Sequence, residues 1–263
     1  MKTPPKISAI LITRNEEGNV SGCLESVGWC DEIIVVDSLS SDRTVELCGR
    51  YTDRIISRAW SGSYGVQRNV GLDAATGEWM LMIDADERVP GDLRAELVAF
   101  ASSPGPHVGA YVPRKNFFFG RWLRHGGCYP DHQMRFFRRD RCRYHDGRGE
   151  GPDSPRLDGR AATLRAPMLH DTGRSLSERI RKLEFETTLQ ARQKVDGCKQ
   201  VGWSTLIAHP LASFIRVYLG RSGFRDRTEG LLFAVLFAFQ NFVTYAKIRE
   251  LQIRAKEGDS LKR

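Results

Sequence analysis

Short apolar runs alternate with amphipathic stretches over the first 90 residues of the chain. Each run has the length and composition of a strand buried on both faces. The stretches between the runs place apolar residues on one helical face, as Val20, Leu24 and Val27 do. The predicted strands are Ile7–Thr13, Glu32–Val36, Arg54–Ser57 and Trp79–Ile83, and the predicted helices run from Asn19 to about Val27, from Ser40 or Ser41 to Cys48, and from about Tyr64 to Ala75. This alternation predicts a parallel sheet with helices on both faces.

The pattern is less regular between residues 90 and 200. We predict a helix over 90–102, strands at Gly109–Arg114, Gln133–Phe137 and Leu164–Leu169, and an amphipathic helix from Ser175 or Ser177 to about Val195. The glycine- and proline-rich stretch 145–160 is typical of a long loop that closes over a site. The aromatic connection Asn116–Trp122 fits two interpretations: buried core, the commoner fate of large aromatic side chains, or a wall against a sugar or lipid.

The chain becomes strongly apolar towards its C-terminus. Leu206–Leu219 contains one charged residue, Arg216, and Gly230–Ala246 contains none. The second run has only the minimum length of a membrane span, and polar residues interrupt it. Two apolar helices joined by an arginine-rich turn predict insertion along a membrane surface beside anionic lipid, and burial against the rest of the chain or in a dimer is the alternative. We therefore predict a domain at residues 1–200 and an amphipathic to apolar helical extension at residues 201–263.

Charge and cysteine content narrow the class of protein. The 263 residues carry a net charge of +8, divided into −6 over residues 1–113 and +14 over residues 114–263. A basic C-terminal half fits an anionic partner, whether phosphorylated lipid, membrane surface or nucleic acid. The six cysteines form no C-x-x-C pair and no zinc spacing, so we expect the reduced thiols of a cytosolic protein. The first residues lack the apolar core and cleavage site of a secretory signal.

The strand that begins at Trp79 is followed by three carboxylates, those of Asp84, Asp86 and Glu87. In open α/β sheets ligands bind at the carboxyl ends of the strands. Asp84 and Asp86 point the same way on an extended backbone, so they can share a hard cation with a ligand's oxygens, although a polar turn is the alternative. Asp37 follows the second strand, where such folds hold a ribose or base. The sequence has no G-x-G-x-x-G after its first strand and no P-loop motif, so metal and side chains would have to hold a diphosphate.

Four motifs occur in order in the first 90 residues: I-L-I-T-R-N-E-E, I-I-V-V-D-S-L-S-S-D-R-T, G-V-Q-R-N-V-G-L and G-E-W-M-L-M-I-D-A-D-E. In these motifs the chain resembles the family-two inverting glycosyltransferases of GT-A fold. Three further stretches make it most similar to bacterial lipopolysaccharide core glycosyltransferases: W-S-G-S-Y-G-V-Q-R-N, Y-P-D-H-Q-M-R-F-F-R-R and S-F-I-R-V-Y-L-G-R-S-G-F. The resemblance implies an α/β fold with a GT-A (Rossmann-like), mostly parallel sheet flanked by helices. It also implies transfer of a sugar, often glucose, to a lipid-linked glycan.

The resemblance carries binding roles to the matching positions. For the nucleoside it implies contacts of Thr13, Glu16 and Arg68 with the base, of Asp37 with the uridine and of Asp84 with the ribose or metal. For the metal it implies Asp86 as the ligand that bridges to the diphosphate and His170 as a ligand late in the fold. A leaving diphosphate needs a divalent ion or cations, and carboxylates with one imidazole suit Mn²⁺ somewhat better than Mg²⁺. Arg135 could aim at the diphosphate, since guanidinium matches phosphate oxygens. The structural alternatives are a surface salt bridge for Arg68 and a structural role for His170.

The catalytic base is expected in the stretch H-G-G-C-Y-P-D-H-Q. Inverting transfer is a single displacement in which one carboxylate takes the proton of the acceptor hydroxyl as that hydroxyl attacks the anomeric carbon. Asp131 lies on a predicted tight loop before a strand, and the resemblance implies that it supplies this base. A turn aspartate is the structural alternative, and Asp146 and Glu150 are competing acids.

These observations favour a metal-dependent, inverting glycosyltransferase bound peripherally to the cytoplasmic face of the cell membrane. The resemblance implies UDP-glucose as donor, Mn²⁺ or Mg²⁺ as ion and a phosphorylated glycolipid as acceptor, with ADP-heptose or another UDP-sugar as the alternative donor. A nucleotidyltransferase would need a glycine- and lysine-rich phosphate loop, which the sequence lacks. The third class is a non-catalytic membrane-surface or RNA-binding protein. RNA binding would require aromatic residues interleaved with Lys and Arg, so we expect no nucleic-acid partner, while a homo-oligomer stays open.

Overall fold

A computed structural model of the chain describes residues 4–145, 155–173 and 175–260, with side chains through residue 256. In chain order the strands are β1 Ile7–Thr13, β2 Glu32–Asp37, β3 Ile55–Ser57, β4 Trp79–Asp84, β5 Glu87–Arg88, β6 His107–Phe118, β7 Arg121–Trp122, β8 Asp131–Arg138, β9 Cys142–Tyr144, β10 Pro155–Leu157, β11 Arg160–Thr163 and β12 Met168–Asp171. The helices are α1 Val20–Val27, α2 Thr44–Cys48, α3 Tyr64–Ala74, α4 Gly91–Ser102, α5 Leu176–Lys194, α6 Trp203–Ile215 and α7 Arg227–Ser260. The competing acids Asp146 and Glu150 lie outside the described residues, as does most of the predicted lid.

The chain divides into two units. The first comprises Met1–Lys115 and Asp131–His170, and the second comprises Asn116–Pro130 and Asp171–Arg263. A domain boundary at residue 200 stays a prediction, and the structure groups α5, which precedes that residue, with the C-terminal helices.

The main sheet has the strand order β3-β2-β1-β4-β8-β6-β12-β5. Its first four strands are parallel, as the alternation of strands and helices predicts. From β8 onward the sheet is mixed, because β8 runs antiparallel to both β4 and β6. Antiparallel neighbours need no crossover helix, and this explains why the helical alternation stops after α4.

Two apolar layers sandwich the sheet of the first unit. On one face Leu11 of β1 packs in a cluster with Leu24 of α1 and Leu97 of α4. On the other face Ile10 packs with Leu72 of α3. Neighbouring residues of β1 point to opposite faces, and both are fully buried, so the prediction of helices on both faces is confirmed.

Two predicted element boundaries are wrong because a side chain accepts a hydrogen bond from a backbone amide. Helix α2 begins at Thr44, since the Ser40 amide donates to Asp37 and the Ser41 amide donates to Asn15. The strand predicted at Leu164–Leu169 is two strands, β11 and β12. Between them the Arg165 and Ala166 amides donate to the Glu96 carboxylate of α4 and cannot continue a ladder. Strand β6 also runs four residues beyond Arg114, to Phe118.

The second unit is built around α5, α6 and α7. Ser175 caps α5, accepting a hydrogen bond from the Glu178 amide at 3.2 Å, as one of the two predicted caps. The end of β6 and β7 form a short antiparallel pair, and Phe118 there is buried. Its ring meets that of Phe233 on α7 edge to face, with centroids 6.0 Å apart. The core interpretation of the aromatic connection is therefore confirmed for Phe118.

All six cysteines are free thiols, and four of them are buried. Burial raises the pKa of the Cys30 thiol to about 12, with the negative charge of Asp31 adding to the effect. A thiol with a raised pKa is a poor nucleophile at neutral pH. The free, mostly buried thiols agree with the expectation of reduced cysteines.

Candidate active site

Three neighbouring parallel strands end at the same edge of the sheet. In the register of the ladder Thr13 of β1 lies beside Asp37 of β2, and Ile12 lies beside Asp84 of β4. The structure therefore brings Thr13, Asp37 and Asp84 together at the carboxyl edge, where open α/β sheets bind ligands. We call this group the strand-end site.

The Thr13 side of the strand-end site contains unsatisfied polar atoms. Among the described residues, Thr13 Oγ1 and Gln67 Oε1 are buried without a hydrogen-bond partner. Gln67 Nε2 donates to Ser38 Oγ at 2.9 Å, and the Ser38 amide donates to the Thr13 carbonyl. A buried polar atom left unpaired costs about 1–3 kcal/mol, so a ligand that bonds to these atoms would recover that cost. The sequence pattern does not single out Gln67, although that residue precedes Arg68 in the Q-R-N segment.

The loops after β1 and β2 brace each other. Asn15 has a left-handed backbone (φ 54°), its amide donates to Ser40 Oγ, and its side-chain oxygen accepts from the Ser41 amide, both at 2.8 Å. The buried Asp37 carboxylate accepts from the amide and hydroxyl of Ser40. Glu16 Oε2 accepts from Asn19 Nδ2 at 2.8 Å, next to the start of α1. Contacts of Glu16 and Asp37 with a base stay predictions.

Asp84 lies between two guanidinium groups. Arg68 Nη2 donates to Asp84 Oδ1 at 3.0 Å, and Arg135 Nη2 donates to Asp84 Oδ2. Burial acts to raise the pKa of Asp84, but the charges of Arg135 and Arg68 outweigh it and hold that pKa well below its usual range. Asp84 is therefore ionised at every pH at which the protein would work.

Arg68 and Arg135 are both buried in the first unit. The Arg68 guanidinium lies 5.9 Å from the ring centre of Tyr64 and 5.3 Å from that of Tyr144, so its interpretation as a surface salt bridge is wrong. Arg135 Nη2 also donates to Glu87 Oε1 at 2.6 Å. These bonds hold Arg135 on carboxylates, and its contact with a diphosphate stays a prediction.

Glu87 connects the strand-end site to the neighbouring antiparallel strands. Its side chain is fully buried, Oε2 accepts from the Asp84 amide at 2.9 Å, and Oε1 accepts from Arg114 Nη1 at 3.1 Å. A carboxylate buried this deeply needs charged partners, and Arg114 and Arg135 supply them. Glu87 is visible in the sequence only as the third acid after the strand, and its role there could not be assigned.

Arg114 reaches from Glu87 to Asp131. Its Nη2 and Nε both donate to Asp131 Oδ2, at 2.6 and 2.9 Å, and Gln133 Nε2 donates to Asp131 Oδ1 at 2.7 Å. Alternating charges thus form an unbroken series, which we call the charge chain. It consists of Arg68, Asp84, Arg135, Glu87, Arg114 and Asp131.

Asp131 is the first residue of β8 rather than part of a preceding loop, so that predicted detail is wrong. It lies directly beside Arg114 in the register of the β6–β8 ladder. The side chain is 22% exposed, so the carboxylate is oriented by its partners and still reaches solvent. An oriented, accessible carboxylate is what a general base requires.

Asp86 and His170 also lie together. His170 Nε2 is 3.6 Å from Asp86 Oδ1, and the β12–β5 ladder places His170 beside Glu87. Within the described part of the chain, no group of three or more His, Cys, Asp and Glu side chains is arranged to hold a metal ion. Asp86 and His170 thus offer one carboxylate and one imidazole, while both oxygens of Asp84 accept from arginines.

Comparison with known families identifies the class of this protein. The family model described as "Glycosyl transferase family 2" matches residues 8–156, more than half of the chain and all of the charge chain. The chain belongs to glycosyl transferase family 2. It is therefore a glycosyltransferase, as predicted, on the predicted α/β fold.

Two relatives agree with this assignment, and one solved structure has a similar fold. The chain is 31% identical over 269 residues to the lipopolysaccharide core biosynthesis glycosyltransferase LpsC of Rhizobium meliloti, covering 97% of each chain. It is 27% identical over 262 residues to the uncharacterized glycosyltransferase RT0209 of Rickettsia typhi, covering 95% of this chain and 89% of the relative. The structure of S. aureus TarS 1–349 in complex with UDP-GlcNAc shares the fold, with a TM-score of 0.50 and 15% identity over 95% of this chain and 92% of TarS.

Proposed function

We propose that this glycosyltransferase moves a sugar from a nucleoside-diphosphate donor, UDP-glucose, to a hydroxyl of a lipid-linked glycan such as the lipopolysaccharide inner core. The observation that carries the proposal is the charge chain, which joins Asp84 and Glu87 to Asp131 by charged hydrogen bonds. Similarity to LpsC over nearly the whole chain supports the class of acceptor. An ADP-heptose or another UDP-sugar is the alternative donor.

The nucleoside is assigned to the Thr13 side of the strand-end site. The unpaired Thr13 Oγ1 and Gln67 Oε1 offer hydrogen bonds to a base or ribose. Asp37 is held in place by Ser40, and Arg68 is held by Asp84 and lies near two tyrosine rings, so both are oriented before a ligand arrives. Orienting these groups in advance lowers the entropic cost of binding.

A divalent ion is assigned to Asp86 and His170. A carboxylate and an imidazole fit Mn²⁺ or Mg²⁺, and oxygens of the diphosphate and water would complete the coordination. The ion would stabilise the negative charge that develops on the leaving diphosphate. Asp84 is assigned to the ribose side rather than to the ion, because arginines occupy both of its oxygens.

Asp131 is assigned as the base of an inverting displacement. Its carboxylate takes the proton of the acceptor hydroxyl as the hydroxyl oxygen bonds to the anomeric carbon. The bond from that carbon to the diphosphate oxygen breaks, and the diphosphate leaves with the electron pair. Arg114 and Gln133 hold Asp131 in a fixed orientation during this step.

Calorimetric titration of the purified protein with UDP, UDP-glucose and ADP, with and without Mn²⁺, tests the donor. We expect uridine nucleotides to bind in the presence of Mn²⁺. The Asp86→Ala variant should lose the part of this binding that depends on the metal. A preference for ADP would redirect the donor to an ADP-heptose. Failure of all three nucleotides to bind under any condition would overturn the proposal.

A further inference from the structure

Helix α6 exposes a continuous apolar stripe within the second unit. Its residues recur every four positions and are between 47% and 78% exposed: Trp203, Ile207, Leu211, Ile215 and, in the π-helical turn that follows, Leu219. Residues four apart lie on one face of a helix. A tryptophan and four branched aliphatic residues on one exposed face form a surface that water does not favour.

Helix α7 exposes a second stripe. Leu231, Val235, Phe239 and Phe242 are between 39% and 48% exposed and lie on one face, since their spacings are four, four and three residues. The two helices pack on each other, with the rings of His209 and Tyr245 4.6 Å apart. We call the two sets of residues together the apolar stripes.

Composition alone would allow α7 to cross a membrane. The segment Gly223–Lys256 is the one described helix long and apolar enough to do so, and 17% of its apolar window is buried within the chain. The low burial separates it from the core helix of a water-soluble protein, which passes the same test of length. The contacts between the side chains of α7 and those of α5 decide whether α7 spans the membrane or lies on it.

Helix α5 is bound to the middle of α7 through polar groups. Gln240 of α7 accepts from Arg179 Nη2 at 3.2 Å and donates to Glu186 Oε2 at 3.1 Å, and both of these partners lie on α5. Lys247 Nζ of α7 donates to Glu184 Oε1 of α5 at 3.1 Å. Helix α5 carries eight charged side chains among its 19 residues. If α7 spanned the membrane, these contacts would draw the charged helix α5 into the hydrocarbon core at a prohibitive free-energy cost. Helix α7 therefore cannot span the membrane while these contacts persist.

The turn between α6 and α7 is positively charged. Arg216, Arg221, Arg225 and Arg227 are all exposed there. The acids of the turn are engaged within the unit: Asp226 accepts from the His125 amide at 2.7 Å, and Glu229 pairs with Arg121 at 3.0 Å. Exposed arginines beside an apolar face fit anionic lipid headgroups above acyl chains.

We propose that α6 and α7 lie in the plane of an anionic leaflet, with the apolar stripes among the acyl chains and the turn arginines on the phosphates. The protein is then monotopic. Charge favours lipid over a second copy as the occupant, because a two-fold contact on this face would bring two arginine clusters together. The inference rests on the proposed function only in taking the acceptor to be lipid-linked.

Flotation of the full chain with preformed vesicles tests this mode of binding. We expect flotation with mixed phosphatidylcholine and phosphatidylglycerol vesicles and much less with phosphatidylcholine alone. Leu211→Asp should lower the partition coefficient by about tenfold to hundredfold, since a leucine buries apolar surface worth about 1.5–3 kcal/mol. Val98→Asp, at an exposed helical position of the first unit, is the matched control and should float like the wild type.

Two further readouts fix the orientation. Lipids brominated near the headgroup should quench Trp203 fluorescence, and Trp203→Phe should remove that quenching. Protease added outside the vesicles should cut near Lys256, whereas a spanning helix would leave one end protected in the lumen.

Three outcomes would overturn the inference: no flotation of the wild type, equal flotation of Leu211→Asp, or luminal protection of the chain. A dimer in lipid-free buffer that Leu211→Asp dissociates, without flotation of the wild type, would assign the stripes to a second copy instead. The vesicles contain no donor or acceptor, so failure here leaves the nucleotide titration unaffected, and failure of that titration leaves flotation unaffected.

Discussion

The side chains of the charge chain form ion pairs with one another where little water reaches them. Replacing a buried ion pair as a whole can cost little, but removing one partner leaves the other buried and uncompensated. Asp84 is one such position, since it faces Arg68 and Arg135 together. Residues of the charge chain should therefore affect stability as well as activity.

We predict that Asp84→Asn lowers the free energy of unfolding at pH 7 by about 3–5 kcal/mol. The pKa of Asp84 is lower in the folded chain than in the unfolded one, so its contribution is complete above the unfolded value and is lost as pH falls towards the folded value. The difference between wild type and variant should thus shrink below about pH 4. Urea unfolding across this pH range measures it. Arg143→Gln, which breaks the exposed pair with Asp73, should cost about 1 kcal/mol or less.

Arg114 should act on turnover through the orientation of Asp131. Arg114→Lys keeps the charge but loses the fork that donates twice to Asp131 Oδ2, so we expect kcat to fall about tenfold with donor affinity unchanged. Asp131→Asn should lower kcat by about 10²–10⁴-fold, also without loss of donor binding. Steady-state kinetics together with calorimetry measure this split. Full turnover by Asp131→Asn would exclude it as the base and direct attention to Asp146 and Glu150.

The sequence could indicate Asp37 and Asp84 because each follows an apolar run and a parallel sheet brings such ends together, whereas Thr13 is implied only by the family resemblance. It could not indicate Arg114 or Glu87 in their roles. Arg114 meets Asp131 only through the register of β6 and β8, which local pattern does not encode.

Among the secondary-structure elements, the hydrophobic pattern predicted the bounds correctly where burial determines them. It failed where a side chain accepts a hydrogen bond from a backbone amide. Strands β1 and β4 lie within a residue of their predicted bounds, since both are apolar over most of their length. The start of α2 depends on bonds between two loops, and the break between β11 and β12 depends on Glu96. Such contacts join residues far apart in sequence, so no short window could predict them.

Helix α3 should be sensitive to any added atom where it crosses β1. A Cβ at Gly71 would collide with the side chain of Ile10, which is fully buried and cannot move aside. We predict that Gly71→Ala lowers stability by about 1–3 kcal/mol. At Gly91, the first residue of α4, a Cβ meets nothing within 4 Å, so Gly91→Ala should be neutral or slightly stabilising. Thermal unfolding of the two variants tests the pair, and equal melting temperatures would contradict close packing of α3 on β1.

Over the whole molecule, charge and apolar surface are divided along the chain. The residues that carry the charge chain lie in the first unit, and the apolar stripes lie in the second. Composition could indicate this division, because the net charge changes sign near residue 113 and the long apolar runs follow residue 202. Composition could not distinguish a helix that spans the membrane from one that lies in its plane, because this distinction depends on the hydrogen bonds between α5 and α7.

This division predicts that lipid binding and chemistry can be separated by mutation. Leu211→Asp should lower turnover of a glycolipid acceptor embedded in anionic vesicles by about tenfold, because binding to the same surface raises the effective concentration of enzyme and acceptor. Turnover of the same glycan freed of its acyl chains should stay within about twofold of the wild type, since the substitution touches no residue of the charge chain. Measuring both acceptors with Leu211→Asp and Val98→Asp in parallel isolates the membrane contribution. An equal loss on both acceptors would mean that the apolar stripes support the catalytic fold itself rather than its access to lipid.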